Sequence, residues 1–299
     1  MRRSLTRCIL CSFFLMQEAL ATQPIALDNF SRLVNYPNKT EIPCPAQTEK
    51  TAVILAIGQS NSANHGETRF TTKYPARVLN YFNGKCYSAA SPLFGATGIS
   101  GEFLTPMADI LIRNGDYETV ILITSGIGGT PVKRWEKGGD LNGMLSKVLD
   151  KTHSNYTITD IIWHQGETDF TLNTPPEGYK KSFHSLLDSI RGETKTLPPV
   201  YYAIATRCGD NWSANNPVAR AQASLANEAA HIYFAVNTDE LVPADERIDS
   251  NCHFKEKAQL TVANAYALAI HKQKARQNER ALLKQTPYPF SRSPNSCSN

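Results

Sequence analysis

The chain contains no apolar run long enough to cross a bilayer. A spanning helix needs ~20 apolar residues, and the stretch from Cys8 to Met16 is far shorter. Excess charge is also lacking: 31 Lys and Arg stand against 27 Asp and Glu. No basic stripe breaks that near balance, so no nucleic-acid partner is expected. Beyond Ala21 no two cysteines have the CxxC spacing of a zinc site. Neither a metal nor a cofactor is expected. There is no internal repeat and no low-complexity block, so one domain is the economical reading.

What is present begins with a leader. Arg2, Arg3 and Arg7 precede the short apolar stretch, and Ala19-Leu20-Ala21 supplies small residues of the kind a signal peptidase reads. A secretory signal peptide over residues 1–21, cut after Ala21, is expected, with a secreted or periplasmic location and no stable membrane insertion. Five cysteines then remain: Cys44, Cys86, Cys208, Cys252 and Cys297. In an oxidising compartment pairs are expected. The pairs expected are Cys208–Cys252 and Cys44–Cys86, with Cys297 left over on a polar tail.

Residues 22–50 read as an approach segment, since Pro24, Pro37, Pro43 and Pro45 discourage regular structure. From Thr51 apolar β-rich runs alternate with helical spacing. Strands are expected at 52–57, 78–82, 119–124, 158–163, 200–205 and 231–236. Helices are expected at 105–113, 141–152, 176–193, 215–230 and 255–276. Continuous Val- and Ile-rich runs fit strands covered on both faces, so a mainly parallel sheet between two helical layers is expected over residues 51–276. The last helix shows a stripe of Leu260, Ala263, Tyr266, Ala267 and Ile270. Residues 277–299 read as a loose tail.

Ligands of such sheets bind at the carboxyl ends of the strands. Three polar, glycine-bearing loops fall there. They are Gly58-Gln59-Ser60-Asn61, Ser125-Gly126-Ile127-Gly128-Gly129-Thr130 and His164-Gln165-Gly166-Glu167. A serine hydroxyl needs a base. Of seven histidines, His253 is the best candidate, because it follows the last strand on the same edge. Asp249, four residues earlier, can fold back to hold the imidazole. Oxyanion donors are sought in the Ser60 amide, the glycine loop 95–101 and the Gln165 side chain. His65 is read as a surface residue, Trp135 and Trp163 as packing, and Lys133 and Arg134 as a solvated pair.

Gly58-Gln59-Ser60-Asn61, Trp163-His164-Gln165-Gly166-Glu167 and the late Asp249 and His253 together resemble the SGNH hydrolases. Within them they resemble the sialate O-acetylesterase and carbohydrate esterase family six branch, from about Ala52 to about Ala269. That resemblance implies a three-layer α/β/α fold with a flavodoxin-like sheet. It also implies a metal-free serine esterase acting on acetylated carbohydrates. Ser60 would match the nucleophile and His253 the base. Gly101, or else Gly98, would match the oxyanion glycine, and Gln165 would stand where the superfamily uses Asn. The usual Asp-x-x-His spacing is exceeded by one residue, so Glu167 rivals Asp249 as the acid, with Asp249 preferred. Two other functions fit the same fold: a non-catalytic carbohydrate-binding or adhesion protein, and an esterase for lipid or other non-sugar esters. The oligomeric state is not legible.

Overall fold

The computed structural model describes residues 24–285. The expected signal peptide and Cys297 lie outside them. Among the described residues no helix is long and apolar enough to cross a membrane.

The chain opens with a small antiparallel ladder, β1 (Ala26–Leu27) against β2 (Leu33–Asn35). The central sheet has eight strands. They are β3 (Glu41–Ile42), β4 (Thr51–Gly58), β5 (Val78–Phe82), β6 (Lys85–Ser88), β7 (Thr119–Thr124), β8 (Asp160–His164), β9 (Val200–Ile204) and β10 (Ile232–Asn237). Their spatial order is β10-β9-β8-β4-β7-β5-β6-β3. Every pairing from β10 to β5 is parallel, and β6 alone runs against both neighbours. Numbered along the chain, the six parallel strands run 2-3-1-4-5-6. The first strand thus lies one place further in than in the 2-1-3-4-5 order of flavodoxin.

Side-chain alternation divides the sheet into two apolar faces. Val53, Leu55 and Ile57 of β4 face one way with Ile121, Ile123, Ile161 and Trp163. Against them pack α2 (Asp140–His153), α4 (Pro176–Thr194) and α5 (Pro217–Ala223). Ala52, Ile54 and Ala56 face the other way, toward α1 (Leu104–Arg113) and α7 (Glu256–Gln285). Two shorter helices complete the set, α3 (Glu167–Thr171) and α6 (Thr238–Leu241). All eight residues of β4 are buried, as a strand covered on both faces must be.

Three expectations are corrected. The helix expected over 215–230 spans only Pro217–Ala223, and the chain beyond it turns at Asn227, whose Oδ1 accepts the Ala230 N–H, before it enters β10. Leu260 is 37% exposed, and the inner stripe of α7 instead carries Gln259 and Val262. That helix also runs past residue 276, to Gln285. Both expected disulfides, Cys44–Cys86 and Cys208–Cys252, are formed.

Candidate active site

The central position of β4 brings three loops together. β7 flanks it on one side and β8 on the other. Gly58 ends the strand at φ 131°, and a Cβ there would lie 2.1 Å from the His164 carbonyl oxygen. Only glycine lets the two strand ends approach so closely. The next amide, Gln59 N–H, donates to that same oxygen at 3.0 Å. Ser60 then opens a single 3-10 turn, Ser60–Ser62. The turn is pinned by the Ser62 hydroxyl donating to Gln59 O at 2.8 Å. Gln59 Oε1 accepts from Gln165 Nε2, Gly166 N and Thr168 N at 3.3, 3.4 and 3.2 Å, which ties the β4 loop to the β8 loop.

His253 comes from β12 (His253–Phe254), paired with β11 (Arg247–Ile248). Between them Asp249, Ser250 and Asn251 all have left-handed backbones, with φ of 52°, 55° and 64°. Short polar residues tolerate that region best. The tight coil absorbs the extra residue between acid and base, and Cys252 N–H closes it onto Ile248 O at 2.9 Å. Asp249 Oδ2 is left 2.8 Å from His253 Nδ1. The Cys252 carbonyl accepts from Asn61 Nδ2 at 3.2 Å and Arg247 Nη1 at 3.1 Å, so the residue before the imidazole is held from two sides. Cys252 is also disulfide-bonded to Cys208.

Glu167 is fully buried, and burial pushes its carboxyl up to about 7 against its hydrogen bond from Asn61. Oε1 accepts that bond at 2.7 Å, while Oε2 has no partner among the described residues. His164 Nε2 approaches Oε1 at 4.0 Å. Burial, aided by the Arg247 charge, holds His164 down at about 3, so the imidazole is neutral and this contact is not an ion pair. His65 is not a surface residue. Its ring stacks on His253 with centroids 5.2 Å apart, and Nε2 lies 3.1 Å from Thr97 Oγ1. Burial above all, then the neighbouring His253, lowers it to about 4.

Ser60, His253, Glu167, His65 and Gly98 all line one cavity of about 900 Å³. Asp249 meets His253 from outside that wall, with its side chain 65% exposed. Gly101 and Gln165 are elsewhere. The Gly101 amide is donated to Gly66 O at 2.8 Å, and no Cβ fits there because Thr68 O would lie 1.8 Å away. Gln165 Nε2 is engaged by Gln59, Thr130 O and Asp169. Lys133 pairs with Glu136, and Arg134 forks onto Asp140 at 3.0 and 2.6 Å. Trp135 and Trp163 are fully buried, edge to face, in the core.

Sequence reasoning ranked a surface position for His65 above a place in the pocket, and missed the link from Asn61 to the Cys252 carbonyl and the wall supplied by Leu27, Phe30 and Ser31. His65 stands five positions after Ser60, and that nearness was its one legible signal. Nothing in the proline-rich approach segment marks it as a wall.

A family model described as carbohydrate esterase, sialic acid-specific acetylesterase, matches residues 50–272. A probable carbohydrate esterase of Arabidopsis thaliana is 28% identical over 97 residues, which are 31% of this chain and 37% of that protein. The match therefore spans little more than a third of that relative. Among solved structures, a protein from Arabidopsis thaliana superposes at a TM-score of 0.59 with 18% identity, covering 75% of this chain and 98% of its own. NanS does so at 0.54 with 16% identity, covering 76% and 98%. A carbohydrate acetylesterase from Xanthomonas citri does so at 0.51 with 18% identity, covering 75% and 57%.

Proposed function

The chain belongs to the family of carbohydrate esterases described as sialic acid-specific acetylesterases, and on that footing we propose that it is a serine esterase removing O-acetyl groups from carbohydrates. The observation that carries the reading is the His253 imidazole, held at Nδ1 by Asp249 at 2.8 Å and lining the cavity that Ser60 lines.

An aspartate accepting from Nδ1–H leaves Nε2 as the acceptor a base requires. His253 takes the Ser60 proton as Oγ attacks the acetyl carbonyl. The oxyanion collapses, and His253 returns the proton to the departing sugar alcohol. Water, deprotonated by His253, then hydrolyses the acetyl-serine, and acetate and free Ser60 result. The Ser60 and Gly98 amides are the oxyanion donors in this reading, Gly98 replacing Gly101. The cavity position of Gly98 and its φ of 83° support the replacement, since a Cβ would meet Asn64 O at 2.3 Å. Glu167 acts as a positioning group: it orients Asn61, which holds the carbonyl just before His253. Asp249 is the acid.

The cavity wall favours a neutral acetylated sugar. Its one lysine or arginine, Arg134, is already forked onto Asp140, and both line the cavity. The two disulfides support an oxidising, secreted or periplasmic setting. Acetate release from a panel of acetylated neutral and acidic sugars tests the assignment. Ser60→Ala is expected to cut turnover by at least about 10⁴-fold. Hydrolysis of p-nitrophenyl acetate by that variant at the wild-type rate would overturn the reading, as would wild-type failure to react with a fluorophosphonate. A clear preference for acidic sugars would overturn only the neutral-sugar clause.

A further inference from the structure

A second cavity, of about 300 Å³, lies at the carboxyl ends of β5 and β7 beneath the last turns of α2. The esterase chemistry above does not use it. Its body is apolar: Tyr81, Phe82, Ile123 and Val148 contribute to the wall. Asn83, Thr124 and Thr152 also line it, and two further polar residues of the wall carry an unpartnered side-chain atom. Ser125 is fully buried, and its hydroxyl has no partner among the described residues. Arg32 binds Asp28 through Nε and Nη2 at 2.8 and 2.7 Å, but its buried Nη1 has no partner among the described residues. Lys147 and Lys151 line the same cavity from the exposed side of α2, against a single acid, Asp150.

A buried donor without an acceptor costs free energy comparable to a lost hydrogen bond, so two of them in one cavity wall call for a ligand atom. A guanidinium arm and a hydroxyl in the wall of one cavity suit a two-oxygen anion. The apolar remainder suits a hydrophobic body rather than a sugar. We propose that this cavity is a binding site for a small carboxylate with an apolar, aromatic body, its oxygens taken by Arg32 Nη1 and Ser125 Oγ. The site is independent of Ser60, because none of these groups lines the catalytic cavity.

Benzoate is the probe, titrated into the full protein and followed by calorimetry and by the methyl resonances of Ile123 and Val148. Benzyl alcohol removes the charge and glucuronate replaces the apolar body. Benzoate is expected to bind and shift both methyls, with the two controls at least tenfold weaker. Ser125→Ala loses no hydrogen bond in the free protein and is expected to weaken benzoate about tenfold. Arg32→Lys, which retains a charge for Asp28, is expected to do the same, and Val148→Trp to abolish binding by filling the cavity. Ser60→Ala is expected to leave binding intact. Circular dichroism confirms folding of each variant. Absence of benzoate binding overturns the proposal. So does binding that survives Val148→Trp, or that benzyl alcohol or glucuronate matches.

Discussion

At the scale of single residues, Asp249 and Glu167 differ in what their carboxylates touch. Asp249 meets the imidazole itself. Replacing it by Asn removes the acceptor that selects the Nδ1–H tautomer, so Asp249→Asn is expected to lower kcat by about 10²–10⁴-fold with little change in KM. Glu167 meets Asn61 instead. Glu167→Gln keeps an acceptor for Asn61 Nδ2, and less than about a tenfold loss is expected. Steady-state kinetics on one acetyl ester decides between them, and the reverse ranking would make Glu167 the acid. That Ser60 and His253 share a cavity and that Asp249 meets His253 was legible because the signals are local: a strand end, a loop edge, a short loop between Asp249 and His253. That Gly101 and Gln165 lie off the cavity wall was not legible, because where an amide spends its hydrogen bonds is settled by chain neighbours distant in sequence, Gly66 for one and Thr130 for the other.

At the scale of elements, α7 shows why periodicity alone assigns a stripe only to within one residue. Leu260 fits the apolar pattern yet faces outward, while Gln259 is 1% exposed. Gln259 is held inside by accepting from Thr68 N and donating to Thr68 O and Glu102 O, at 2.9, 3.0 and 3.2 Å. It thereby clamps the segment running toward Gly101 to the helix. Gln259→Leu would leave Thr68 and Glu102 groups unpaired and is expected to cost about 2 kcal/mol, whereas Leu260→Gln should stay within about 0.5 kcal/mol. Urea unfolding midpoints test the pair, and equal costs would contradict the inward placement of Gln259. Strands β4 and β7 were legible almost to the residue, since long buried runs rich in Val and Ile have few other solutions. The short β6 and α3 were not, because neither is long enough to show a period.

At the scale of the whole molecule, buried titratable groups set how stability varies with pH. Glu167 titrates at about 7 in the native chain against an ordinary 4.5. Its contribution is full below about 4.5 and is lost as pH rises through 7. His164 and His65, held at about 3 and about 4 against 6.5, act oppositely: their contribution is full above 6.5 and is lost as pH falls. Stability is expected to peak near pH 6.5. A shift of one unit corresponds to about 1.4 kcal/mol. Relative to wild type, Glu167→Gln should therefore gain about 3 kcal/mol between pH 4.5 and 8. Unfolding curves across that range decide it, and a wild-type-to-variant difference that does not vary with pH would show that Glu167 is not the group responsible.

The Cys208–Cys252 bond also bears on the proposed activity. Cys252 immediately precedes His253, whereas Ser60 belongs to a turn anchored in the middle of the sheet. Before that bond closes, a newly made chain has Ser60, the proposed nucleophile, seated, but His253, the proposed base, sits on a left-handed coil with one tether fewer. Mild reduction is expected to lower turnover well before the main thermal transition moves, with reoxidation restoring it. The activity proposed for this chain is thereby expected to depend on the redox state of its surroundings.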